Sequence, residues 1–255
     1  MSMALIIVLS LILAVTPILL SWLVDAYVDK RRAMIKPVFA VAAPDSQRDR
    51  EIASSFRTSW IHGVLFCGFV AGGVIRVPDD ETWTQVLATF LVAFVWTEIW
   101  HYLSHRLMHW EPLHFIHAEH HKSMITAPWT ANSFSILEKT LFSVGILGGL
   151  TLLSSWWSLS VTGIFGYYML YFYTNTLGHA NFEFRDAGYY ARFWGQVFNC
   201  PTYHALHHAR YVKNYGLITP WLDRIFGTEW QDVSSVQSRA ASGRPLTSKS
   251  ERGST

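Results

Sequence analysis

Charge and sulfur are both scarce in this chain of 255 residues. Asp, Glu, Lys and Arg together make up 15% of it, against roughly a quarter in ordinary soluble domains. That deficit, beside 51% hydrophobic residues, is the balance of a membrane protein. The formal net charge of +2 is too small to argue for nucleic acid, and no basic stripe interleaved with aromatics supports such a partner. Only two cysteines occur: Cys67 lies inside an apolar run and Cys200 precedes Pro201. They offer neither a disulfide framework nor a CxxC pair, and a zinc-finger site is excluded. There is no HExxH, which argues against a metalloprotease, and no GxGxxG, so no flavin or dinucleotide fingerprint is present. No internal repeat is visible.

What is present is histidine. Seven fall between His101 and His121, and His179 and the trio His204, His207 and His208 follow. A lone histidine is ordinarily a packed core residue; repeated clusters point to metal. On a helix, at about 100° per residue, His101, His105 and His109 form one stripe, and His117, His120 and His121 share an arc of about 100°. His204, His207 and His208 repeat that second spacing. Nine or more candidate donors exceed the roughly four that a single tetrahedral zinc uses, which suggests two metals. A nearly all-histidine pair of metals suits dioxygen activation better than hydrolysis, which normally places a carboxylate base beside the metal.

The apolar runs set the context. Ala4 to Val24 is long enough to cross a hydrocarbon core of about 30 Å. With no basic residue before it and no convincing cleavage site, it reads as a retained anchor, which Pro17 is placed to kink. Further runs cover Trp60 to Ile75, Trp83 to Trp100, Leu141 to Leu153 and Val161 to Leu177. The expected fold is therefore an all-α integral membrane protein with about four to five spans and a cytosolic helical cap carrying a histidine-rich di-metal site. Residues 1–58 are expected to form an anchor and cytosolic linker, 59–230 the catalytic domain, and 231–255, rich in Ser, a disordered tail. Lys30 to Arg57 hold most of the cations near the first two spans, which assigns that segment to the cytosol. Counting crossings then brings all three histidine groups to the cytosolic face.

At His101-Tyr102, His105-Arg106-Leu107-Met108-His109, His117-Ala118-Glu119-His120-His121 and His204-Ala205-Leu206-His207-His208, the chain resembles the fatty acid hydroxylase and sterol desaturase superfamily of membrane histidine-box oxygenases. Lys213-Asn214-Tyr215-Gly216 and Trp221 to Thr228 resemble the segment closing that catalytic region, and the start and ending are most similar to sterol methyl oxidases. The resemblance implies metal ligands at His105, His109, His117, His120, His121, His179, His204, His207 and His208. Glu183 stands where some fatty-acyl hydroxylases have a further histidine, so a tenth ligand is left to His101 or to water; His114 has no counterpart among the ligands. Asp223 and Arg224 are expected to hold the last box in place, Asp223 by receiving an imidazole N–H, with Glu138 and Glu98 as candidates for the same task. The resemblance also implies two non-haem irons, dioxygen as co-substrate, and a membrane lipid (sterol, fatty acyl chain or isoprenoid) as substrate. Electrons are expected from NADH or NADPH through a ferredoxin or cytochrome b-type donor and its reductase. The location would be a bacterial inner membrane or a eukaryotic endoplasmic reticulum. The competing reading is a non-catalytic membrane metal or haem protein, a transporter or an electron carrier.

Overall fold

The computed structural model describes residues 2–251. Its regular elements are helical: α1 (Met3–Lys30), α2 (Asp45–Ala71), α3 (Trp83–Met108), α4 (His114–His121), α5 (Ile136–Ser154), α6 (Val161–Gly178), α7 (Phe193–Val197), α8 (Pro201–Arg210), α9 (Trp221–Ile225) and α10 (Val233–Ala241). The all-α expectation holds, since only two isolated bridges, Pro37 with Phe182 and Phe39 with Leu246, interrupt it among the described residues.

Five long helices form the bundle: α1 packs on α2 and α6, α3 on α5 and α6, and α2 on α5. Three of them, α1, α3 and α5, are long and apolar enough to cross a membrane by length and composition. The apolar runs from Trp60 to Ile75 and from Val161 to Leu177, also expected to span, fall largely within α2 and α6. The first half of α2 carries Asp45, Arg48, Asp49, Arg50 and Glu51, and α6 buries Tyr167, Tyr168 and Asn175, so neither reaches the same apolarity. A belt of exposed Leu5, Val8, Leu11, Leu87, Leu91 and Leu152 on the other three is what a hydrocarbon solvent would cover.

Local chemistry sets the ends and contacts of these helices. Thr82 and Gln85 close a capping box at the start of α3. Further along, Trp96 and Trp100 lay their indoles across α5 and donate Nε1–H to the Ile146 and Phe142 carbonyls, each at 3.1 Å. That approach needs Gly149 and Gly145, where a Cβ would lie 2.0 Å from the indole rings. The C-terminal ends of α3 and α6 and the N-terminal end of α5 consequently meet at one end of the bundle, where α4 and α8 cap it.

The same end holds the basic linker. Arg48 pairs with Asp25 of α1 at 2.5 Å, and Arg50 donates to Ser123 at 2.6 Å. Glu51, fully buried, receives Gln47, Ser123 and Thr130 at 2.6–2.8 Å and so ties α2 to the loop between α4 and α5. Past Gln231 the expected disorder is corrected for the described residues. Val233, Val236 and Leu246 are buried against Val38, Tyr203 and Leu206, and this patterning of α10 supplies an apolar stripe that the Ser-rich composition concealed. Residues 252–255 lie outside the described residues.

Candidate metal centre

Nine of the ten histidines singled out in the sequence gather into two groups. His105, His109, His117, His121 and His207 form one; His120, His179, His204 and His208 form the other. Within each group one nitrogen per ring lies within 4.8 Å of all the others. Imidazole nitrogens bind a metal at about 2.1 Å, so opposed donors stand about 4.2 Å apart, and each group is one small contraction from a coordination shell.

The elements deliver these rings by helical register. His105 closes α3 and His109 caps it; α4 carries His117, His120 and His121; His179 caps α6; α8 carries His204, His207 and His208. The groups interleave, because neighbours 120 and 121 on α4, and 207 and 208 on α8, go to different groups.

For six of the nine rings a hydrogen bond fixes which nitrogen faces inward. Nδ1–H of His105 donates to the Tyr215 carbonyl (2.8 Å), of His120 to Ser133 (3.1 Å), of His179 to Asn175 (2.7 Å), of His207 to Lys213 (2.7 Å) and of His208 to Ser123 (2.9 Å). His117 donates to the Glu138 carboxylate at 2.5 Å. In a neutral ring that proton leaves Nε2 as a bare lone pair, and Nε2 of His105, His117 and His208 is buried with no hydrogen-bond partner. His204 Nε2 approaches His179 Nε2, and His207 Nε2 approaches His121 Nε2, both at 3.0 Å. Buried acceptors without donors cost free energy, and a shared cation is the partner that would satisfy several together. The donor set therefore fits two imidazole-bound metal ions.

Electrostatics agree. Burial, with neighbouring imidazoles adding to it, holds His117, His120, His121, His204, His207 and His208 well below the usual histidine range. Burial pulls His109 down to about 2 and His179 to about 4. The rings stay neutral at physiological pH, the form a metal requires.

The remaining candidates divide. His101 is in neither group; both of its ring nitrogens are buried without a partner, and it lines a small cavity over the histidines with Met108, Phe134, Phe142 and Tyr171. His114 stands at the edge, its ring 5.2 Å from that of Tyr211. Glu138 receives an imidazole N–H as expected, and Glu98 does not: it accepts from the Thr219 backbone N–H and hydroxyl at 2.8 and 2.5 Å.

Asp223 also corrects its expectation. It takes no imidazole proton and instead receives Tyr203 Oη–H (2.8 Å), Tyr215 N–H (3.0 Å), Gly216 N–H (2.6 Å) and the Thr228 hydroxyl (2.7 Å). It therefore holds the last box through Tyr203, and the Tyr215 carbonyl that receives His105. Arg224 supports it from outside, paired with Glu229 at 3.1 Å and lying over Tyr190. Glu183, in the position of an additional family ligand, accepts from the Thr202 hydroxyl (2.7 Å) and backbone N–H (3.4 Å), and so caps the start of α8. Sequence reasoning missed the five backbone carbonyls, which carry no side-chain signature. It also missed Phe134, stacked 4.9 Å from His120, and Tyr211, 4.8 Å from His121.

The family model described as Fatty acid hydroxylase matches residues 90–228, more than half of the chain. The chain is 30% identical over 199 residues to a very-long-chain aldehyde decarbonylase of Arabidopsis thaliana, covering 72% of this chain and 30% of that protein. It is 32% identical over 184 residues to another of Oryza sativa subsp. indica, covering 66% of this chain and 29% of that one. It is 28% identical over 160 residues to a methylsterol monooxygenase of Aspergillus fumigatus, covering 60% and 51%. The chain thus spans under a third of the plant and rice proteins' length and about half of the fungal one. No solved structure matches.

Proposed function

We propose, from the premise that this chain belongs to the fatty acid hydroxylase family, that it is a membrane-bound oxygenase holding two non-haem irons and hydroxylating or desaturating an unactivated C–H bond of a lipid. The observation that carries this reading is the pair of histidine groups, in which six of the nine rings commit Nδ1 to an outer acceptor and so leave Nε2 as the donor toward the shared centre. His105, His109, His117, His121 and His207 would hold one iron, and His120, His179, His204 and His208 the other. When bound, the irons supply dioxygen activation strong enough to attack an alkyl C–H bond.

The chain's own part is orientation and exclusion. Carbonyls and Glu138 lock the tautomer and angle of six imidazoles, which raises their basicity toward metal. Met108, Phe134, Phe142 and Tyr171 wall a cavity of about 30 Å³ against the rings, room for a methylene or two and hostile to bulk water. The site at the end of the bundle shared with Lys30 to Arg57 supports a cytosolic orientation. With no dinucleotide fingerprint, electrons would come from a ferredoxin or cytochrome b-type donor fed by NADH or NADPH.

Mass spectrometry of lipids extracted from cells with and without the chain, beside iron analysis of the purified protein, tests this. A lipid gaining one oxygen or losing two hydrogens, in a dioxygen-dependent way, is the expected result. His120→Ala and His207→Ala should abolish product and lower bound iron while membrane insertion persists. A haem Soret band, or metal flux without lipid product, would overturn the reading. Loss of a carbon from an aldehyde would align the chain with the relatives whose names state decarbonylation.

A further inference from the structure

After α8 the chain does not stay on the cap at the histidine end; it descends alongside α3. Glu98 of α3 accepts the Thr219 backbone N–H and hydroxyl at 2.8 and 2.5 Å, Phe94 meets Trp221 with ring centroids 6.2 Å apart, and Tyr102 stacks on Phe226 at 5.5 Å. Leu217 and Ile218 join the apolar core of the bundle with Phe66, Leu147 and Ile164.

The depth of these contacts follows from helix geometry. α3 has 26 residues, about 39 Å at 1.5 Å per residue, and is apolar enough to span a hydrocarbon core of about 30 Å. Even with the whole surplus of about 9 Å projecting at the histidine end, Glu98 would lie about 6 Å and Phe94 about 12 Å inside that core. Thr219 and Trp221 are held beside them.

The surface suits that depth. Trp221, Ile225 and Phe226 are 42%, 72% and 52% exposed. The charged residues of the same stretch are withdrawn, Asp223 under its four donors and Arg224 in its pair with Glu229. On α3, exposed Leu103 and Leu107 stand one position round from Tyr102 and Arg106. Arg106, in the last turn, lies over the Phe226 ring at 5.7 Å and donates to the Tyr102 hydroxyl at 3.0 Å, a cation on an apolar stem that marks where water begins.

The backbone suits it too. Non-helical chain at membrane depth is tolerated only where its polar groups are met within the protein. Here Glu98 takes the Thr219 N–H, the Asn199 backbone and side chain donate to the Ile218 and Leu217 carbonyls at 2.8 and 3.1 Å, and Pro220 brings no N–H.

We infer that residues 217–226 form a re-entrant segment whose Trp221, Ile225 and Phe226 side is immersed in the acyl chains of the leaflet at the histidine end, with Glu98 holding its turn at depth. Hydrocarbon is the occupant selected by the lack of exposed charge and by continuity with the α3 span. This holds whichever reaction the histidines support.

The test is electron paramagnetic resonance of nitroxide labels on the full chain in phosphatidylcholine nanodiscs. Collision with oxygen, which concentrates in hydrocarbon, is compared with collision with a nickel(II) chelate, which stays in water. Trp221→Cys, Ile225→Cys and Phe226→Cys carry the label; Leu91→Cys on α3 is the hydrocarbon reference and Lys122→Cys the water reference, both at exposed positions. The unaltered chain, whose Cys67 and Cys200 are packed against the core, supplies the background. The oxygen-to-nickel ratio at Ile225 should be several-fold above that at Lys122 and close to that at Leu91, and it should decline from Trp221 to Phe226. Ile225 is the most exposed of the three, so its label decides the contact even where Trp221→Cys fails to fold. A ratio at Ile225 matching Lys122, or a level profile across the segment, would overturn the inference. Spin–spin broadening at Ile225 would do so as well, by putting a second copy of the chain where lipid is expected. A water-accessible label at Leu91 would remove the span and the inference together.

Discussion

Asp223→Asn is the substitution that most sharply separates the two histidine groups. The carboxylate is fully buried and receives four donors, two of them backbone N–H groups with no freedom to turn away. An amide of the same size keeps one acceptor oxygen but faces an NH2 against at least one of those N–H groups, and it loses the charge assistance on all four bonds. Hydrogen bonds to charged groups are worth about 1.5–3 kcal/mol, and a stranded buried donor costs about 1–3 kcal/mol, so a net loss of about 3 kcal/mol is expected. The damage should be local. Asp223 sets the 215–216 backbone, whose Tyr215 carbonyl receives His105, and lies beside the turn whose Lys213 carbonyl receives His207; both histidines belong to the five-ring group. The four-ring group depends on the Ser133, Asn175 and Ser123 carbonyls, and its one tie to Asp223, through Tyr203 on α8, is a hydroxyl that can bond to either end of the amide. Iron per chain, measured by mass spectrometry on protein purified in nanodiscs, should therefore fall from about two toward one, with a lower thermal midpoint. Retention of both irons at unchanged stability, or equal loss of the two, would refute the reasoning.

Three other outcomes are expected. Glu138→Ala strands the His117 Nδ1–H and should weaken iron retention by about 10–100-fold in a chelator competition, whereas Glu138→Gln, which keeps an acceptor, should lose much less. His101→Ala should retain the full iron complement, because His101 lies outside both groups, and change turnover or product position instead; loss of an iron would make it the tenth ligand. Metal-free protein should lose stability on acidification. His179 is depressed to about 4 from an ordinary 6.5, so the unfolded chain binds the proton first, and its contribution, complete above about 6.5, is lost as pH falls through 4. Chemical denaturation of the chelated protein from pH 7 to 4 measures this; a flat profile would contradict it.

Much of the site was legible before any coordinates, since helical spacing alone put His117, His120 and His121 on one arc and His204, His207 and His208 on another. Register did not reveal that adjacent rings split between two groups, because that depends on how α4 and α8 face each other. The same limit explains Asp223. Its importance was visible, but its four partners come from three separate segments that only folding assembles. Glu183 was legible as a departure from a family pattern and not as a helix cap, because the helix it caps begins 18 residues later. The tail misled through composition: serines around Val233 and Val236 conceal a stripe that a helix turns inward.

Five of the six outer acceptors of the imidazoles are main-chain oxygens. Every residue type supplies such an oxygen, so the support of the centre is largely invisible to selection acting on side chains. At Ser123 and Ser133, provided the Ser123 hydroxyl bond to Glu51 is kept, and at Lys213 and Tyr215, a mutational scan should tolerate exchange as far as this task is concerned. Sensitivity should move to the residues that shape the turns, Glu51 for the first pair and Asp223 with Asn214 for the second. Drift among relatives would then preserve the turn formers while the residues that contact the histidines vary.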